Sequence, residues 1–216
     1  AGDFDAVSEV MVIAAGLSIQ DPRERPQDKR QKADEAHRQF ADEMSDFVAL
    51  LNVWNTFKQQ QRELSGNQLR KWCKTNFLNY LRMREWQDIV SQIKHSLVEN
   101  ELRINSQPAD YDAIHRSIAC GLLSHIGQLD KNRVYKGARN AQFMIFPGSG
   151  IANKSPKWVM AAELVETSKL FARVAARIQP DWLEPLAPHL VKSSYSEPAW
   201  SKKRGAVMAY ERVSLY

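Results

Sequence analysis

Arg133-Val-Tyr-Lys-Gly-Ala-Arg-Asn-Ala-Gln-Phe-Met-Ile-Phe-Pro-Gly-Ser-Gly150 opens a stretch, continuing to Ile178, in which short apolar runs alternate with connections crowded by Lys, Arg, Asn and Ser. Within it, Gln142-Phe-Met-Ile-Phe146 is a β-rich run that stops at the turn signal Pro147-Gly-Ser-Gly150. Lys136, Arg139, Asn140, Lys154 and Lys157 fall on the connections to either side, where side chains are free to reach a partner. A small sheet module that holds a polyanion has this appearance.

The charge distribution agrees. Residues 1–50 carry 6 Lys and Arg against 11 Asp and Glu, residues 51–110 carry 9 against 6, and residues 111–216 carry 15 against 8. An acidic front and a basic back point to an anionic ligand held mainly by the C-terminal half. A solvated surface of mixed sign is the competing reading of the same composition.

At 216 residues the chain suffices for one large or two modest domains, each with its own core. The longest apolar run, Val10 to Leu17, is far short of the ~20 residues that span a bilayer. No cationic, apolar and cleavage-site succession opens the sequence, so a soluble, cytoplasmic protein without a membrane association is expected. Cys73 and Cys120 lie in helical patterns and form no C-x-x-C pair, which fits buried thiols in a reducing compartment.

Periodicity divides the chain. Ser8 precedes an apolar run to Leu17 that reads as a capped, buried helix. Asp21-Pro-Arg-Glu-Arg-Pro26 reads as an extended connection, because the residue before each proline is pushed out of the α region. Asp28 to Asp42 reads as a charged, solvated helix. Phe47, Leu50, Leu51, Trp54 and Phe57 then mark one helix face. After the break at Ser65-Gly66-Asn67, a second stripe runs through Leu69, Trp72, Cys73, Phe77, Tyr80 and Leu81, and a third through Trp86, Ile89, Val90, Ile93 and Leu97. Pro108 reopens the chain for a fourth, with Ile114, Ile118, Leu122 and Ile126 in phase. Beyond Gly127 strands become the better reading to about Ile178, although the Ala, Glu, Leu and Lys content of Trp158 to Ile178 favours a helix by propensity; the pattern leaves both open there. Pro180, Pro185 and Pro188 break up the tail, where Trp182-Leu183 suits a short helix and Lys202-Lys203-Arg204 a solvated basic cluster.

Two motifs mislead. Asp34-Glu-Ala-His37 spells the magnesium-binding motif of a helicase motor, but that chemistry requires the end of a buried strand, and here the letters follow the charged run Lys29-Arg-Gln-Lys-Ala33. Gly148-Ser-Gly-Ile-Ala-Asn-Lys-Ser155 comes within one residue of the phosphate-cradling loop G-x-x-x-x-G-K-[ST]. Asn153 replaces the second glycine, and Pro156 removes an N–H from the turn that should follow. The five histidines are scattered without an H-E-x-x-H pair, and Ser149 lacks the G-x-S-x-G elbow. No catalytic residue, metal site or cofactor site is expected in this sequence.

In order, Ser18-Ile-Gln-Asp-Pro-Arg-Glu-Arg-Pro26, Asp46-Phe-Val-Ala-Leu-Leu-Asn-Val-Trp-Asn55 and Trp72-Cys-Lys-Thr-Asn-Phe77 resemble the helicase-associated, ratchet-like region of DEAH-box RNA helicases. Tyr135 to Ser149 with Pro156 to Ser168 resembles the OB-fold that follows it, and the Gly-Ala-Arg-Asn and Ala-Ala-Glu-Leu-Val-Glu-Thr wording is similar to the bacterial HrpA-type members. The resemblance implies an α+β chain: a helical ratchet-like bundle over residues 1–128, a small OB-fold β-barrel over 129–184 with Trp158 to Ile178 as strands, and the start of a C-terminal extension over 185–216. Both RecA-like motor domains and the winged helix are absent from this sequence, so ATP and Mg would belong to the parent helicase, whose motor motif would lie upstream.

The resemblance further implies a platform for single-stranded RNA, working with the parent's motor domains and monomeric. Phosphate contacts are then expected from Lys136, Arg139, Asn140, Ser149, Lys154 and Lys157. Base or sugar contacts are expected from Asn76, Arg84 and Gln92, against plainer roles as a helix surface residue for Asn76 and an i, i+4 partner of Asp88 for Arg84. The alternative, from another class, is a protein-docking scaffold whose basic barrel binds an acidic partner or a helicase activator.

Overall fold

A computed structural model describes residues 1–215 of the chain. Six α-helices come first: α1 (Val7–Leu17), α2 (Arg30–His37), α3 (Asp46–Glu63), α4 (Gly66–Thr75), α5 (Tyr80–Glu99) and α6 (Tyr111–Ala119). Five strands follow, β1 (Ile126–Leu129), β2 (Tyr135–Gly137), β3 (Gln142–Ile145), β4 (Trp158–Glu166) and β5 (Leu170–Arg177), then the short α7 (Leu183–Leu186) and a hairpin of β6 (Val191–Ser201) and β7 (Ala206–Leu215). The α+β class with helices ahead of a closed barrel is therefore as read from the sequence.

The helix starts are set by short polar side chains. Ser45 Oγ accepts from Val48 N–H at 3.2 Å, Asn79 Oδ1 from Arg82 N–H at 3.1 Å and Asp110 Oδ1 from Ala113 N–H at 2.7 Å, each satisfying an orphan donor of the first turn. At α4, Gln68 reaches back to accept from Ser65 N–H at 2.9 Å. The expected stripe of α3 is realised, with Phe47, Leu50, Leu51 and Phe57 buried. α1 crosses α5 closely enough that a Cβ on Gly16 would meet Trp86 Cζ2 at 2.6 Å, and the Trp86 indole donates to Val12 C=O at 2.9 Å. The extended connection after α1 is zipped onto the α4–α5 junction by Glu24 N–H to Phe77 C=O and Asn79 N–H to Pro22 C=O, both 2.8 Å.

Several local expectations are corrected. α1 begins at Val7, one residue before Ser8, whose N–H donates to Asn105 instead of capping the helix. The charged helix is short, Arg30–His37, because Phe40 leaves it to enter the core. Leu81 is 76% exposed: the second stripe is split where Phe77 adopts φ +52°, which re-aims the chain into α5. α6 stops at Ala119, so Leu122 and Ile126 lie beyond it, and Cys120, the first residue past its end, is exposed rather than buried. Cys73 is buried, and burial pushes its thiol up to about 11, the setting of an inert cysteine.

The barrel closes in the order β1-β2-β3-β5-β4, antiparallel except for the parallel closure of β3 on β5. Trp158 to Ile178 is thus a β-hairpin: Val159, Ala161, Ala172 and Ala175 are buried beside Tyr135, Phe143 and Ile145, with the alternation of β5 broken at Val174 (φ +49°), and this buried packing overrides helix propensity. The barrel's other face, through Ile126, Met160, Ala176 and Ile178, is continuous with the helical core.

The Trp182-Leu183 pair is buried at the start of α7. Lys202, Lys203 and Arg204 form the turn of the final hairpin, closed by Gly205 at φ +62°. Tyr216, the last residue of the expected extension, lies outside the described residues. Among the described residues no helix is long and apolar enough to cross a membrane.

Candidate nucleic-acid interface

Strand directions decide which loops can act together. β1 and β5 run towards one end of the barrel, which also carries the β1–β2 turn, the loop leading from β3 into β4, and the start of β4. The β2–β3 turn lies at the opposite end, about 10 Å away along the three residues of β2 at ~3.3 Å per residue. Lys154 and Lys157 therefore share an end with Lys131, Asn132, Arg133 and Arg177, whereas Arg139 and Asn140 stand at the tip of the other turn.

Both turns are tight, and their left-handed residues fix them. Asn132 and Arg133 have φ +57° and +61°, Arg139 and Asn140 +54° and +59°, the two-residue geometry that matches the twist of a hairpin. Each turn thus projects one arginine and one asparagine outward. Sequence reasoning picked the second pair and passed over the first, although both turns carry an asparagine, which tolerates left-handed backbone.

The loop before β4 is pinned. The Tyr135 hydroxyl, rooted in the barrel interior, donates to Pro156 C=O at 2.9 Å, and Leu129 N–H donates to Lys157 C=O at 2.8 Å. With the Met44 segment this loop walls a cleft of about 450 Å³ lined by Lys154, Lys157, Trp158, Arg177 and Ile178. The Trp158 indole N–H makes no hydrogen bond to another described residue. Lys154 bridges the walls to Glu43 at 2.7 Å, and Lys136 pairs with Asp130 at 2.9 Å. Each lysine holds its carboxylate partner below the usual range by a direct hydrogen bond. Both pairs are exposed, so a phosphate can replace either carboxylate at little cost.

What fixes the cleft is a polar junction. Asp46, at the start of α3, accepts from Ser149 Oγ at 2.5 Å, from Gly150 N–H at 2.9 Å and from Ala175 N–H at 2.9 Å. Ser149 is thus occupied by a carboxylate of the same chain. A Cβ on Gly150 would meet Asp42 C=O at 2.7 Å, so the loop approaches the connection leading into α3 as closely as only glycine allows. Nearby, fully buried His115 sits between Ser45 Oγ at Nε2 and Tyr111 C=O at Nδ1, both 2.6 Å, with the Tyr111 ring stacked at 3.7 Å. Burial holds His115 down at about 4, hence neutral, with Nδ1–H donating and Nε2 accepting. The Ser–His contact resembles a nucleophile pair, but it lies in the interior with no access for substrate.

The helical candidates are dispersed. Asn76 caps α4, its Nδ2 donating to Trp72 C=O at 2.9 Å and its Oδ1 accepting from Gln39 at 2.8 Å, so it is committed to structure. Arg84 and Gln92 are exposed on α5, and Arg84 is not ion-paired with Asp88. Instead it stands near Lys58, whose ammonium is lowered by burial and by the neighbouring Arg62 and Arg84. Asp34 to His37 lie on α2, with Asp34 paired to Arg25 at 2.6 Å, which is no place for a strand-end metal motif. No group of His, Cys, Asp and Glu among the described residues could hold a metal ion.

Residues 114–190 match the oligonucleotide/oligosaccharide-binding (OB)-fold family profile. Over 215 residues, 99% of the chain, the sequence is 58% identical to the ATP-dependent RNA helicase HrpA homolog of Haemophilus influenzae. It is 56% identical over 211 residues, 97% of the chain, to ATP-dependent RNA helicase HrpA of Escherichia coli. Over 190 residues, 87% of the chain, it is 31% identical to probable ATP-dependent RNA helicase DHX35 of Homo sapiens. The aligned part is 16% of each bacterial relative and 26% of the human one.

Proposed function

This chain is homologous to the C-terminal region of HrpA-type ATP-dependent RNA helicases, OB-fold included, and we propose that it is the part of such an enzyme that holds single-stranded RNA while motor domains outside this sequence hydrolyse ATP. The carrying observation is the cleft at one barrel end, where Lys154, Lys157 and Arg177 surround Trp158. The cations neutralise backbone phosphates, and the indole, with its unpaired N–H, offers a surface for a base or sugar. Arg133 and Lys131 extend the same positive end, so the strand follows the β1–β2 turn into the cleft. The Arg139–Asn140 tip lies outside that path.

Holding a strand during a power stroke requires that the cleft not give way. The Asp46 junction supplies that stiffness by tying the loop before β4 and strand β5 to the start of α3, while the Tyr135 and Leu129 hydrogen bonds tie the same loop to β2 and β1. Contacts of this kind read charge and shape rather than sequence, so little base selectivity follows. The protein acts as a monomer in the cytoplasm on this reading.

Titration with a short single-stranded RNA at two salt concentrations tests the proposal. With about four phosphates neutralised, the log–log slope of affinity against salt is roughly −3, at ~0.7 per contact. An affinity indifferent to salt refutes it.

A further inference from the structure

A second groove, of about 490 Å³ and sharing no lining residue with the barrel cleft, runs between the Glu24–Lys29 connection and the α4–α5 junction. Its wall is apolar through Pro26, Phe77, Leu78 and Leu81, and its rim carries Lys29, Arg70 and Lys74. Leu81 is 76% exposed on the first turn of α5, turned out of the core where the chain is redirected at Phe77. The one acidic lining residue, Glu24, is already committed: it accepts from Asn79 Nδ2 at 2.8 Å and faces Arg82 at 3.9 Å. Arg70 and Lys74 have no carboxylate within ion-pair distance among the described residues. The groove thus combines an uncovered aliphatic surface with two cations, Arg70 and Lys74, that have no carboxylate partner among the described residues, while Lys29 on its rim stands 4.0 Å from exposed Asp28.

We propose that this groove docks an acidic peptide segment of a protein partner, with one apolar side chain seated against Leu81 and Pro26 and flanking carboxylates at Lys29, Arg70 and Lys74. Charge complementarity selects the flanks, and burial of Leu81 supplies the anchor. The surface is poorly suited to a nucleic acid strand. A base would need an open aromatic face, and the Arg70 guanidinium already lies over the Tyr80 ring, 5.3 Å from its centroid. Leu81 and Pro26 offer aliphatic contact, which suits a side chain better than a base.

The test is a selection of phage-displayed random short peptides on the whole chain, followed by binding measurements with the enriched sequences. The expected product is a set of acid-rich peptides with a single apolar anchor. Their affinity should fall about tenfold or more in the double variant Arg70→Glu with Lys74→Glu, and again in Leu81→Ser, with melting temperatures unchanged because all three residues are exposed. Absence of an acidic and apolar consensus overturns the proposal, as does binding that survives both variants. So does displacement of the selected peptides by a short single-stranded RNA in a manner sensitive to these same variants, which would make the groove a nucleic-acid surface. RNA affinity at the barrel cleft is read separately and need not change.

Discussion

Acidification should loosen the joint between helices and barrel through one residue. His115 has a pKa held down at about 4 by burial, against about 6.5 for an unfolded chain. A base whose folded pKa is depressed takes up its proton first in the unfolded state, so its contribution is complete above pH ~6.5 and is lost as pH falls towards ~4. The full difference corresponds to about 3 kcal/mol, and about 2 kcal/mol of that is gone by pH 5. The structural cause is specific: an imidazolium would present Nε2–H to Ser45 Oγ and strand the serine hydroxyl hydrogen, in a site with no exposure. Urea unfolding at pH 7.5 and pH 5, for the native chain and for His115→Gln, isolates this term because glutamine is neutral at both. The native chain should lose about 2 kcal/mol more than the variant over that interval. Parallel losses, or an NMR titration placing His115 near 6.5, would refute the reasoning.

Other consequences concern the same joint. Asp46→Ala leaves Ser149 Oγ–H, Gly150 N–H and Ala175 N–H without their acceptor and should cost about 3 kcal/mol or more in chemical denaturation; a loss below ~1 kcal/mol would contradict the structural role of this carboxylate. Gly150→Ala drives a methyl into Asp42 C=O and should destabilise by about 1–3 kcal/mol, measured as a shift in the unfolding midpoint. ATP should show no saturable binding to this chain by calorimetry, since Ser149 is occupied by Asp46 and Asn153 stands where the phosphate loop needs glycine.

The helical half was readable because its apolar stripes are long, as on α3 and α5; the caps Ser45, Asn79 and Asp110 were passed over, and Ser8, the one cap read from the sequence, lies inside α1. Other errors cluster at turns. Phe77 at φ +52° carries left-handed backbone in a residue type that gives no warning of the redirection, whereas Asn132 is a turn signal that the reading passed over. Of the site, Lys154 and Lys157 were legible as loop cations. Arg177 was not, since it lies within an alternating strand and reaches the cleft only because β5 pairs in register with the start of β4. Ser149 reads as a phosphate ligand in sequence, yet its partner Asp46 is 103 residues away, a contact that local pattern cannot supply.

The most direct test compares the two barrel ends. Salt-dependent binding of a short single-stranded RNA is measured by fluorescence anisotropy for the native chain, for Lys154→Ala with Lys157→Ala, and for Arg139→Ala with Asn140→Ala. The first pair should weaken binding and lower the salt slope by about 1.4, from the loss of two phosphate contacts at ~0.7 each, while the second pair leaves both unchanged. Loss of binding in the second pair with retention in the first would contradict a strand path through the Trp158 cleft.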